Sequence, residues 1–137
     1  MEKEQIVRET LKKRFIALEG LDYGTLQQSF HHSAQIIQSG RFQVNHSPSE
    51  YVKWIEALFA KVEFSQYQVK DIQFFETVAI ASESYQFHYV RKADGINCVG
   101  YGNASSVLKL LEGRWQIIQM CIGNHTLELE TAWEEAA

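Results

Sequence analysis

Leu108-Lys109-Leu110-Leu111-Glu112-Gly113-Arg114-Trp115-Gln116-Ile117-Ile118 is a pair of apolar runs around a Glu-Gly dipeptide. That is the pattern of two strands joined by a two-residue hairpin turn. With Glu112 and Gly113 as the turn, Leu111 opposes Arg114 and Leu110 opposes Trp115. Reading back from this hairpin, the apolar period stays at two as far as Gln66. Strands are therefore predicted near Tyr67–Phe74, Val78–Arg91, Cys98–Leu111 and Trp115–His125. Glu76-Thr77, Asp94-Gly95 and Glu112-Gly113 fall at the connections, and the last two are good hairpin turn pairs. In the final strand Ile118, Met120 and Ile122 alternate toward one face, and Ile117, Gln119, Cys121 and Gly123 toward the other.

Before Gln66 the period is helical. Ser47-Pro48-Ser49-Glu50 has serine at the N-cap, proline in the first turn and glutamate three residues on, a capping box. A helix is predicted from Pro48 to near Val62, carrying Tyr51, Ile55, Leu58 and Phe59 with Trp54 beside them. Val7, Leu11, Phe15 and Leu18 form one apolar stripe on a helix over Glu2–Glu19 that Gly20 ends. Asp22 is read as the N-cap of a short helix through Leu26 and Phe30, and Ala34–Gln38 as a short strand. Helices segregated from a run of antiparallel strands mean α+β: three N-terminal helices packed on a curved, mostly antiparallel sheet.

The 137 residues carry 45% apolar and 22% charged side chains and a net charge of −4, with one proline. One domain over residues 1–137 is expected from that length. The negative charge argues against nucleic acid as a partner, and no apolar run approaches the roughly 20 residues that span a bilayer. Met1–Gln5 has mixed charge and no apolar stretch behind it, so no signal peptide and a cytoplasmic location are expected. Continuing the hairpin count places Ala104 opposite Cys121, and Cys98 six residues further on, about 20 Å away. No disulfide between them is expected. No cofactor motif is present and none is expected.

His31 and His32 are adjacent and point in different directions, with no third ligand spaced nearby. They are read as residues at a helix end, and no metal site is expected. His88 sits in Ser84-Tyr85-Gln86-Phe87-His88-Tyr89-Val90, sharing one face with Gln86 and Val90 while Tyr85, Phe87 and Tyr89 take the other. On the concave face His88 is the best general acid–base candidate, because its free pKa lies near neutrality. On the convex face it meets solvent or a second subunit, and the sequence does not choose. Trp54 and Tyr101 are candidates to line an apolar pocket, with Met120 on the apolar side of the last strand. Both faces of that strand are partly apolar, which suits helices on one side and a homodimer through the sheet face on the other.

The element order resembles the nuclear-transport-factor-2-like superfamily, the cystatin-like cone. Phe30-His31-His32-Ser33-Ala34 resembles its helix-to-strand passage, and Glu112-Gly113-Arg114-Trp115-Gln116-Ile117 its last hairpin. Within the superfamily the chain is most similar to the branch that carries the lumazine-binding name and to the polyketide-cyclase-like branch beside it. The resemblance also implies the homodimer. Ketosteroid isomerases of this superfamily need a carboxylate base, a tyrosine and a protonated aspartate. Counted from Phe30, the base position falls at Gln38 and the tyrosine position at Arg14, next to Phe15. The aspartate position falls near Ser106. All three groups are replaced, so chemistry of that type is not expected, and Gln38 becomes a pocket-lining candidate. The catalytic sets of scytalone-dehydratase-like and epoxide-hydrolase-like members do not map onto this chain either.

The expected function is binding of an apolar small molecule between helices and sheet, through Trp54, Tyr101, Met120 and Gln38. Two alternatives stay open. One is a cyclase, dehydratase or isomerase acting on a hydrophobic carbonyl substrate with His88 as acid or base, and the other is a protein-interaction scaffold. Convergence of His88, Trp54 and Tyr101 with a carboxylate such as Asp71 or Glu83 would favour the enzyme.

Overall fold

Pairing of the long strands fixes the scaffold on which everything else is hung. The computed structural model describes residues 2–39 and 44–128. They form helices α1 (Lys3–Glu19), α2 (Tyr23–Gln28) and α3 (Pro48–Leu58). The strands are β1 (Phe30–Ser39), β2 (Val44–His46), β3 (Phe59–Phe75), β4 (Val78–Arg91), β5 (Asn97–Leu111) and β6 (Arg114–Glu128). The six strands make one sheet in the order β2-β1-β6-β5-β4-β3. The β1–β6 pair is parallel and the others are antiparallel. The fold is α+β, with the helices on one face of a curved open sheet. Among the described residues no helix is long and apolar enough to cross a membrane.

Local chemistry explains the element boundaries. Glu112 and Gly113 both have positive φ (52° and 76°), the handedness a two-residue hairpin turn needs to match strand twist. The capping box forms in full: the Glu50 N–H donates to Ser47 Oγ at 3.2 Å and the Ser47 N–H to Glu50 Oε1 at 3.0 Å. Asp22 caps α2 by accepting from the Thr25 N–H. Val7, Leu11, Phe15 and Leu18 are buried as the stripe requires, and Leu26, Ile36, Ile55, Leu108 and Ile117 complete the fully buried centre of the core.

Four expectations need correction. Helix α3 stops at Leu58 and not near Val62, because Phe59, Lys61 and Val62 pair with Arg91, Val90 and Tyr89 of β4. The spacing Ile55, Leu58, Phe59, Val62 fits a helix, and only the sheet partner overrides it. Phe30 does not belong to α2 but opens β1, which carries His31 and His32 onto a strand with their rings 4.1 Å apart. The short edge strand β2 lacks any sequence signal of its own. In β6 a one-residue shift between Val107 and Leu108 of the partner puts Ser105, not Ala104, opposite Cys121. That bulge turns Ile117 to the side of Met120 and Ile122, all three buried, while Ile118 faces away. Cys98 and Cys121 are free thiols.

Candidate functional site

Between the helices and the inner face of the sheet lies a cavity of about 290 Å³. Alternation along the strands decides which side chains reach it. On β4, Ala79, Ala81, Glu83, Tyr85 and Phe87 turn inward, and on β5 Gly102, Ala104, Ser106 and Leu108 do so. The walls come from α1 (Phe15, Leu18), α3 (Trp54, Ile55, Leu58), the start of β3 (Phe59, Val62, Phe64) and β4 (Tyr85, Phe87, Tyr89). The rings pack edge-on: Phe15 and Phe64 have centroids 4.8 Å apart, and Phe64 and Tyr85 5.3 Å. Gly102 is required beside Tyr85, because a Cβ there would lie 2.8 Å from the Tyr85 ring and 2.2 Å from Asn124 Oδ1.

The cavity's deep end is polar and centred on Arg14. Its Nη2 meets Glu83 Oε2 at 2.5 Å, and its Nη1 donates to Ser106 Oγ and lies 3.2 Å from Met120 Sδ. One guanidinium thereby ties α1 to β4, β5 and β6. Tyr67 on β3 adds a fourth strand by donating to Glu83 Oε2 at 2.5 Å, and Ser106 Oγ donates to Glu83 Oε1 at 3.4 Å. Arg14 and Glu83 are 3% and 1% exposed, so this pair is withdrawn from water. Burial by itself disfavours the Arg14 charge. The Glu83 carboxylate outweighs it, so the arginine pKa is raised overall and the cation is retained.

Tyr67 reaches the carboxylate because β3 is irregular. Register shifts at Ser65/Gln68 and Val69/Asp71, with Gln66 at φ 52°, let Phe64, Tyr67, Val69, Ile72 and Phe74 pack against the core. In a regular strand Gln66 would share the face of Phe64. Burial pushes the Tyr51 phenol up to about 12 against the pull of the Arg14 charge, and burial also raises Tyr85 and Tyr67. All three stay neutral hydroxyl donors at pH 7.

The other polar groups sit toward the outer end of the cavity. Gln38 Oε1 meets His46 Nε2 at 3.1 Å, the Ser39 hydroxyl donates to the Ile122 carbonyl, and Tyr85 donates to Asn124 Oδ1 at 2.7 Å. Trp54 lies between, its ring stacked 6.3 Å from Tyr51 and tilted against His46 at 6.2 Å.

Of the residues singled out in the sequence, Trp54, Met120 and Gln38 line the cavity. His88 and Tyr101 do not. Both lie on the outer face of the sheet, where His88 Nε2 meets Asn97 Oδ1 at 3.2 Å and Tyr101 is 58% exposed. Asp71 is exposed, and the Glu83 carboxylate is enclosed by Arg14, Tyr67 and Ser106. Of the three positions compared with the isomerase groups, Gln38 and Arg14 line this cavity and Ser106 bonds Arg14 beside it, but a glutamine cannot take a proton at neutral pH. Among the described residues no histidine or carboxylate lines the cavity, and no group of three His, Cys, Asp or Glu side chains could hold a metal ion. Sequence reasoning passed over Arg14 and Tyr51 as contributors. Arg14 carried a legible signal, since it falls three residues after Leu11 and seven after Val7, inside the apolar stripe of α1.

No family model matches this chain, and no curated protein is significantly similar to it in sequence. Solved structures are similar in fold. A nuclear transport factor 2 (NTF2-like) superfamily protein from Salmonella enterica superposes with a TM-score of 0.72 at 18% identity, over 86% of this chain and 87% of that one. A ketosteroid isomerase-like protein from Erwinia carotovora atroseptica gives 0.76 at 16% identity, over 90% and 98%. A type 3 hexachlorocyclohexane dehydrochlorinase from Novosphingobium barchaimii gives 0.77 at 8% identity, over 91% and 88%. At these identities the likeness establishes the fold: this chain has the nuclear-transport-factor-2-like cone.

Proposed function

We propose that this chain binds a small apolar molecule in the cone and does not transform it. One observation carries the reading: a cavity of about 290 Å³ walled by aromatic and aliphatic side chains has, among the described residues, no histidine and no carboxylate in its lining. That size is near the lower limit of small-molecule sites, which are mostly apolar with a few fixed polar groups. Isomerisation, dehydration or elimination of hydrogen chloride each need a base within reach of a substrate proton. The neighbouring folds named for such reactions lend this chain their shape. Its own lining offers an arginine paired at 2.5 Å and tyrosines held neutral.

Titration calorimetry with 2-ethylnaphthalene as probe tests the reading. Saturable binding is expected in the natural chain, and loss of it in Ala104→Phe, which places a ring in the cavity, while circular dichroism shows both folded. Equal affinity in the two proteins, or no binding in either, would refute it.

A second reading concerns the partner, and the outer face of the sheet supports it. From Ile80 to His88 on β4 and Val99 to Lys109 on β5 the outward residues include no carboxylate and one cation, in a chain that is 22% charged. This central strip, bordered on the same face by Lys61, Glu63 and Asp71 of β3, suits a second copy of the chain. Sedimentation equilibrium is expected to give twice the chain mass, and Tyr101→Glu to halve it. A monomer at micromolar concentration in the natural chain would remove this reading.

A further inference from the structure

A second cleft, of about 460 Å³, lies where α1 and α2 meet the β5–β6 hairpin. Among the described residues it shares no lining side chain with the cone cavity. One wall is written along α1. Ile6, Thr10 and Lys13 recur at i, i+4 and i+7, a stripe beside the buried one of Val7, Leu11, Arg14 and Leu18. The hairpin brings Arg114 and Trp115 to face that wall, and Phe30 and Leu110 complete an apolar floor. Phe30 and Trp115 are buried in the fold, whereas Leu110 is 37% exposed. The volume falls within the range of about 300–1,000 Å³ usual for small-molecule sites.

The charges that line this cleft are of one sign. Lys13 and Arg114 reach it from separate elements, and among the described residues no carboxylate does, in a chain of net charge −4. Glu9 and Glu112, the acids nearest to them along the chain, are exposed and stand outside the lining. Neither cation has an ion-pair partner among the described residues. On the same side of α1, Lys3 lies over the Phe74 ring at 4.7 Å, and Phe74 packs edge-on against Trp115. The other donors spend protons on carbonyls of their own elements. Thr10 Oγ1 donates to Ile6, Ser29 Oγ to Thr25 and Gln116 Nε2 to Leu111. Lys13 and Arg114 therefore hold the strong donors left for a ligand.

From two uncommitted cations over an apolar floor, we infer that this cleft is a second binding site, for a small organic acid: a carboxylate on a compact apolar body. The planar Arg114 guanidinium matches both oxygens of a carboxylate, Lys13 supplies a second positive charge, and the body covers Leu110 and the Trp115 edge. An inorganic anion would leave the floor in water, and a neutral hydrocarbon would leave both cations unused. The site does not depend on what the cone binds.

Nuclear magnetic resonance titration of the full chain at pH 7 locates the ligand, because Trp54 reports on the cone and Gly113 and Trp115 on the cleft. The probes are 2-naphthoate, acetate (the charge without the body) and 2-ethylnaphthalene (the body without the charge). Naphthoate is expected to shift Gly113 and Trp115 saturably, about tenfold or more tighter there than either of the others, and to weaken as salt rises. Arg114→Gln should weaken it about tenfold and Lys13→Gln several-fold. Both positions are exposed, so circular dichroism should show both variants folded. Naphthoate shifts confined to Trp54, unchanged affinity in both variants, or no binding would overturn the site. Acetate or 2-ethylnaphthalene acting on Trp115 as tightly as naphthoate would overturn the ligand class.

Discussion

Replacing Glu83 by glutamine keeps the volume of the side chain and removes its charge. In the natural chain the carboxylate receives Arg14 Nη2 and Tyr67 Oη at 2.5 Å each and the more distant Ser106 hydroxyl. With the two charged side chains 3% and 0% exposed, neither can regain water by a rotamer change. Breaking such a pair from one side costs about 3–5 kcal/mol, because the remaining charge is left desolvated and uncompensated. For a chain of this length that corresponds to a fall in Tm of roughly 10–20 °C. Glu83→Gln should therefore lower the urea midpoint at unchanged slope, followed by tryptophan fluorescence and far-ultraviolet circular dichroism together. The double variant Arg14→Met/Glu83→Leu removes both charges and should recover most of the loss, ending within about 1–2 kcal/mol of the natural chain. The reasoning is refuted by a Glu83→Gln cost below about 1 kcal/mol, the range of exposed pairs. It is equally refuted by a double variant whose loss equals the sum of the single ones, since a coupled pair cannot be additive.

Other consequences are open to simpler measurements. Gly102→Ala forces a methyl against the Tyr85 ring and Asn124 Oδ1, and should cost about 1–3 kcal/mol in chemical denaturation; an unchanged midpoint would mean that β5 runs further from Tyr85. Ser47→Ala removes the acceptor of the Glu50 N–H and should cost about 1 kcal/mol, with no loss expected if Glu50 alone held the helix end. Alkali should unfold the protein earlier than surface tyrosines would allow. The Tyr51 phenol stands near 12 when folded against about 10 when unfolded, so the unfolded chain loses its proton first. Stability is then full below pH 10 and falls as pH rises toward 12, by about 2–3 kcal/mol from this group. Tyr51→Phe should flatten that part of a stability-versus-pH curve, and an identical curve would place the phenol in water.

The sequence by itself determined the class of fold, because the signals involved are local. The Ser47–Glu50 box, the Glu112-Gly113 turn and the change of apolar period depend on neighbours within a few residues, and each element they imply is present. What a local signal cannot carry is the identity of a strand's partner, and this decided the rest. Phe59–Val62 is compatible with a helix until β4 pairs with it, and Gln66 is compatible with the core until the β3 irregularity admits Tyr67 instead. Ile117 and Ile118 exchange faces through one bulge opposite Val107 and Leu108. His88 illustrates the limit most directly. Its alternation with Phe87 and Tyr89 was plain, yet which of the two sets faces the helices depends on how a six-stranded sheet curves, and the helices take the side of Phe87. Arg14, Glu83 and Tyr67 lie 69 and 16 residues apart along the chain, and nothing in their spacing announces a cluster. They meet because α1 crosses the inner face of the sheet there, and in a water-excluded interior a guanidinium is retained only where a carboxylate is brought to it.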